Sequence, residues 1–133
     1  MSRLQLALNV SDIDAAIDFY SKLFGTEPVK RHPGYANFAI AEPSLKLVLF
    51  ENPGATSKLN HLGIELESSE EVMQATERLK QSNLRIKAEP HRTCCYALQD
   101  KIWVSDPDGD DWEVYTVLED SKTFAGEETQ ANA

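Results

Sequence analysis

The spacing of apolar residues changes period early in this chain. Leu4 to Val10 is apolar enough for a buried strand, and Ser11-Asp12-Ile13-Asp14 then opens a helix with acids in its first turn. Ile13, Ala16, Ile17, Tyr20, Leu23 and Phe24 recur at helical spacing, and Gly25 stands where a C-terminal cap belongs. The helix is therefore expected to reach about Phe24. Pro33-Gly34 and Glu42-Pro43-Ser44 punctuate the next stretch into short strands at about 29–31, 35–41 and 45–50.

After the linker-like run Asn52 to Ser57, the order starts again. Residues 60–66 predict a strand, and Ser68 lies three positions before Glu71 in the pattern of a capping box, ahead of a helix carrying Val72, Ala75, Thr76 and Leu79. A weak strand at about 84–88, a strand at 101–105, a turn at Asp106-Pro107-Asp108-Gly109 and a strand at 112–118 complete the second half. Both halves read β-α-β-β-β, which makes the chain α+β with two tandem βαβββ modules at about 3–51 and 59–118. One domain is expected over 1–118. The polar, aperiodic stretch 119–133 is expected to be a disordered tail.

Composition narrows the partners. With 133 residues, 41% hydrophobic and 26% charged, the chain suits one soluble domain with a real core. A formal net charge of -9 argues against nucleic acid and anionic membrane surfaces. No run approaches the roughly 18 apolar residues of a membrane span, and the first residues lack a signal-peptide pattern. A cytoplasmic setting with reduced thiols is expected.

Two features carry chemistry. The chain's two cysteines, Cys94 and Cys95, are neighbours. Adjacent Cα atoms sit about 3.8 Å apart, short of the usual disulfide separation of about 4.4–6.8 Å, so the pair makes a poor staple. Two thiolates can instead converge on one soft atom, or the cysteines can pack as small hydrophobes, one in and one out along a strand. The second feature comes from comparing the repeats. Gln5 and His61 begin the two first strands, while Lys46 and Glu113 hold matching places in the two last strands. Gln5, His61 and Glu113 can share a metal and leave positions open, resembling the open triad of non-haem Fe(II) sites. The alternatives are a hydrogen-bonded buried His61 and a surface Glu113. Lys101, His91 and Arg92 are candidates to favour thiolate, against a solvated strand-edge Lys101 and a loop His91. His91 is also a spare soft-metal ligand.

Taken in order, Gln5-Leu6-Ala7-Leu8-Asn9-Val10-Ser11-Asp12 leading to Phe19-Tyr20, Asn60-His61-Leu62-Gly63, and Asp106-Pro107-Asp108-Gly109 leading to Trp112-Glu113-Val114-Tyr115 resemble the vicinal oxygen chelate superfamily. That superfamily includes glyoxalase I, extradiol dioxygenases and bleomycin-resistance proteins. The runs Thr93-Cys94-Cys95-Tyr96-Ala97, Gln99-Asp100-Lys101 and Gly34 to Ile40 look like its branch of organoarsenical carbon–arsenic lyases and cadmium-induced proteins.

The resemblance implies a vicinal oxygen chelate fold and a Fe(II)- and dioxygen-dependent lyase. Such a lyase takes trivalent organoarsenicals such as methylarsenite and gives arsenite. It assigns the metal to Gln5, His61 and Glu113 and the arsenic to Cys94 and Cys95, with no catalytic residue beyond the metal ligands. It also implies that two chains can pair as a homodimer, although the repeat argues for a site within one chain. The alternative is a non-enzymatic binder that sequesters cadmium, arsenite or a toxic small molecule. A glyoxalase-type isomerase would want a carboxylate where Lys46 stands, and an extradiol dioxygenase gives the cysteine pair no role.

Overall fold

A computed structural model describes residues 2–94 and 97–120, apart from the side chains of 90–97 and 119–120. In chain order its elements are β1 (Arg3–Val10), α1 (Ile13–Phe24), β2 (Lys30–His32), β3 (Tyr35–Ile40), β4 (Leu45–Glu51), β5 (Leu59–Glu65), α2 (Ser69–Gln81), β6 (Ile86–Cys94), β7 (Ala97–Ser105) and β8 (Asp111–Asp120). This is the α+β architecture of two successive βαβββ runs. The chain divides into two compact units, Arg3–Gly63 and a second starting at Ile64. No described helix is long and apolar enough to cross a membrane.

In the first unit the strand order is β2-β3-β4-β1, with β5 next to β1. β1 and β4 run parallel, with Leu4 opposite Leu45 and Gln5 opposite Lys46. The helix start is doubly secured. Asp12 Oδ1 accepts from Ala15 N at 3.1 Å, and Glu51 Oε2, at the end of β4, accepts from Ile13 N at 3.0 Å. Gly25 closes α1 with φ 67°, a left-handed conformation that costs glycine nothing sterically. Leu8 and Val10 of β1, Phe38 and Ile40 of β3, and Leu47 and Leu49 of β4 form one cluster with Ile13 and Ile17 of α1.

Side chains alternate along a strand, so the neighbours of these residues turn to the opposite face. That face carries Gln5, Asn37 and Lys46, all buried. Buried polar groups in the middle of a sheet are the informative exception to apolar interiors.

In the second unit the strand order is β8-β7-β6, with antiparallel pairing throughout. β7 and β8 are joined by a turn in which Asp106 Oδ1 accepts from both Asp108 N and Asp110 N, at 3.0 Å each. Gly109, at φ 88°, supplies the conformation the turn requires. α2 meets this sheet through a hydrogen bond from Ser69 Oγ to Asp100 Oδ2. Val72, Met73 and Thr76 of α2 line a cavity of about 190 Å³ with Ile102 of β7. By alternation, Gln99, Lys101 and Trp103 face away from α2.

The structure departs from the sequence expectations at one helix cap and in three strands, of which β7 begins at Ala97, four residues before the strand expected at 101–105. Ser68 Oγ accepts from Glu71 N at 3.2 Å as a capping box requires, but Glu71 Oε1 accepts from Glu67 N at 2.8 Å, one residue before the expected Ser68 N–H. β6 is longer than the segment expected at 84–88 because its register shifts between Glu89 and Arg92. Pro90 lies in that break, which admits the proline without ending the strand. β8 runs to Asp120, two residues into the stretch expected to be a tail. The rest of that stretch, 121–133, lies outside the described residues.

Candidate metal centre

The alternation of β1 places Gln5 on the face away from α1, and β5 brings His61 beside it. Gln5 Nε2 and His61 Nε2 are 3.2 Å apart. The other ring nitrogen, His61 Nδ1, is 2.8 Å from Asn60 Oδ1. Asn60 Nδ2 donates to Asn9 Oδ1 at 3.0 Å, and Asn9 Nδ2 donates to the Ser57 carbonyl at 3.0 Å. Phe50 packs a tilted ring 6.3 Å from the imidazole. Two of the three expected ligands thus meet inside one unit, at the mouth of a run of side-chain amides.

Glu113 belongs to the second unit and is held by different chemistry. Its Oε2 accepts from Lys101 Nζ at 2.9 Å, and the two side chains are only 5% and 1% exposed. The ammonium also lies 5.4 Å from the Trp103 ring centroid and 5.8 Å from that of Tyr115. Register explains the cluster: Lys101 stands opposite Tyr115 and Trp103 opposite Glu113. Trp103 Nε1 donates to Glu89 Oε1 at 2.9 Å, which fixes the indole. Two of the alternatives left open by the sequence fall here. Lys101 is not a solvated strand-edge lysine, and Glu113 is not a surface residue. Both sit on the face of the sheet turned from α2, where each supplies the charge the other needs on leaving water.

The donors suit a divalent cation. An imidazole nitrogen, an amide and a carboxylate are the nitrogen and oxygen groups such ions take. Among the described residues, no three His, Cys, Asp or Glu side chains form a metal cluster. The expected set differs in drawing on the amide of Gln5. Rotating a terminal amide about its last, roughly two-fold torsion exchanges nitrogen for oxygen at nearly the same point. Gln5 can therefore offer Oε1 where its Nε2 now meets His61.

The expected arsenic ligands fall elsewhere. Cys94 is the last residue of β6, with its backbone opposite Ala97. Its side chain lies outside the described residues, as do Cys95 itself and the side chains of His91 and Arg92.

A family model described as Glyoxalase/Bleomycin resistance protein/Dioxygenase superfamily matches residues 3–114. The chain belongs to that superfamily. Within the glyoxalase/bleomycin-resistance/dioxygenase superfamily, a Mycobacterium tuberculosis protein named cadmium-induced protein CadI is 61% identical over 124 residues, covering 93% of this chain and 82% of that one. A Thermomonospora curvata protein named trivalent organoarsenical cleaving enzyme is 58% identical over 126 residues, covering 94% and 83%. Among solved structures, the Mn(II)-bound glyoxalase of Novosphingobium aromaticivorans superposes with a TM-score of 0.63 at 20% identity, over 96% of this chain and 44% of that one. That last likeness is one of fold.

Sequence reasoning missed Asn9 and Asn60, and it left the place of Lys101 open. The adjacency Asn60-His61 was visible, but neighbours on a strand normally point to opposite faces. Only the fold brings the Asn60 amide round to the imidazole.

Proposed function

We propose that this protein cleaves the carbon–arsenic bond of trivalent organoarsenicals such as methylarsenite, in a reaction that needs Fe(II) and dioxygen and releases arsenite. The observation that carries the metal half of this reading is the approach of Gln5 to His61 Nε2 at 3.2 Å on a part-buried, polar sheet face. The substrate class follows from the 58% identical relative named for organoarsenical cleavage. Gln5, His61 and Glu113 would hold the metal, a set with one negative charge that Lys101 balances within the chain. Fe(II), when bound, supplies the oxygen chemistry. The rest is the work of side chains. Cys94 and Cys95, as thiolates, hold the arsenic and so fix the direction of its organic substituent, and such positioning can contribute roughly 7–11 kcal/mol.

The test loads reduced protein with Fe(II) without air, adds methylarsenite, admits oxygen and follows arsenite by arsenic speciation. Iron-dependent arsenite is expected. Its absence would sink the lyase reading, and persistence of activity in Cys94→Ser/Cys95→Ser would remove the cysteines from the arsenic site. A second reading, sequestration of cadmium or arsenite without turnover, draws on the 61% identical relative named as cadmium-induced. It predicts tight binding of those ions with no product.

A further inference from the structure

The run of amides behind His61 has a direction that a backbone atom imposes. The Ser57 carbonyl can only accept, so the group of Asn9 that faces it at 3.0 Å is the Nδ2 amide. Asn9 then turns Oδ1 to Asn60, which must answer with its own Nδ2, at 3.0 Å. Asn60 is left presenting Oδ1, 2.8 Å from His61 Nδ1. An acceptor at that distance requires Nδ1 to carry the proton. In a neutral imidazole the other nitrogen then has a lone pair, and here it faces the Gln5 amide at 3.2 Å.

We propose that Asn60, steadied by Asn9, is a positioning residue that keeps the His61 proton on Nδ1 and the Nε2 lone pair turned toward Gln5. The functional meaning of this order rests on the reading of His61 as a metal ligand. A cation can take only a nitrogen without a proton, and the hydrogen bond on the far nitrogen decides which one that is. Asn60 is exposed, so water competes for its bonds. Its effect is on which nitrogen is ready.

Ring-nitrogen NMR of isotope-labelled histidine in the metal-free protein, at a pH where the imidazole is neutral, reads the tautomer directly. Wild type is expected to show His61 as the Nδ1–H form. Asn60→Ala should move it toward the Nε2–H form that unconstrained imidazoles favour, and should weaken Fe(II) binding roughly 10–100-fold. Asn60→Asp, which keeps an acceptor for Nδ1–H, should restore the tautomer. Asn9→Ala should shift it in the same direction as Asn60→Ala, and by less. An Nε2–H form in wild type, or no change in Asn60→Ala, overturns the inference. If the tautomer responds as described while wild type binds no Fe(II), the metal reading falls and the role of Asn60 in orienting the ring stands.

Discussion

The two units each bury polar side chains on the sheet face away from their helix and hold them by contrasting means. In the first, Gln5 and His61 stand at the end of an amide run that passes through Asn60 and Asn9 to the Ser57 carbonyl. In the second, Glu113 and Lys101 are a full ion pair, out of contact with water and flanked by Trp103 and Tyr115. Neutral amides give up modest solvation and regain it bond by bond, about 1 kcal/mol each. Two charges give up far more, and the pair holds together only because each satisfies the other. The amide run is therefore the more tolerant of single losses, and the ion pair the less.

The sharpest way to break that contrast is Lys101→Met. It leaves Glu113 buried without its counter-ion, and urea unfolding should show a loss of about 3–5 kcal/mol. Adding Glu113→Leu should recover most of that loss, since an apolar pair of similar volume needs no solvation. If the single substitution is tolerated, the second unit is held as loosely as the first.

A smaller effect tests whether the halves match elsewhere. Asp12 and Ser68 cap α1 and α2 through side-chain oxygens that accept from Ala15 N and Glu71 N. Asp12→Ala and Ser68→Ala should each lower the thermal midpoint by an amount equivalent to about 1 kcal/mol. Equal effects would confine the difference between the units to their polar faces. The smallest effect belongs to Lys22, whose bond to Asp18 is at 3.0 Å between side chains 76% and 66% exposed. Lys22→Ala should change stability by no more than about 0.5 kcal/mol in the same unfolding assay. A larger loss would mean that exposed charges also matter here.

Legibility from sequence followed locality. β1, α1, β3 and β4 could be read because each carries its own period and its own punctuation, down to Gly25 at the helix end. The parallel register of β1 with β4, which sets Gln5 opposite Lys46, joins strands far apart in the chain and is a finding of the structure. The burial of Lys101 is not legible in the sequence because its partner is twelve residues away across a hairpin. Only the register running back from Ser105 opposite Asp111 puts Lys101 within reach of Glu113. β6 extends beyond the weak strand expected at 84–88, through a register shift between Glu89 and Arg92 that depends on β7. Asn60 carried a visible signal, its adjacency to His61, but no rule of alternation predicts that two consecutive strand residues will touch.

The salt bridge between Lys101 and Glu113 has a bearing on how the protein is assembled. Many small metal-binding domains fold only when the metal arrives, so that folding and metallation are one event. Here the carboxylate expected to bind metal is already neutralised by a lysine of the same sheet, 2.9 Å away. The polypeptide brings its own provisional cation off the ribosome. On the proposed metal reading, folding of the second unit and arrival of the ion become separate events, and metal-free protein is expected to be folded.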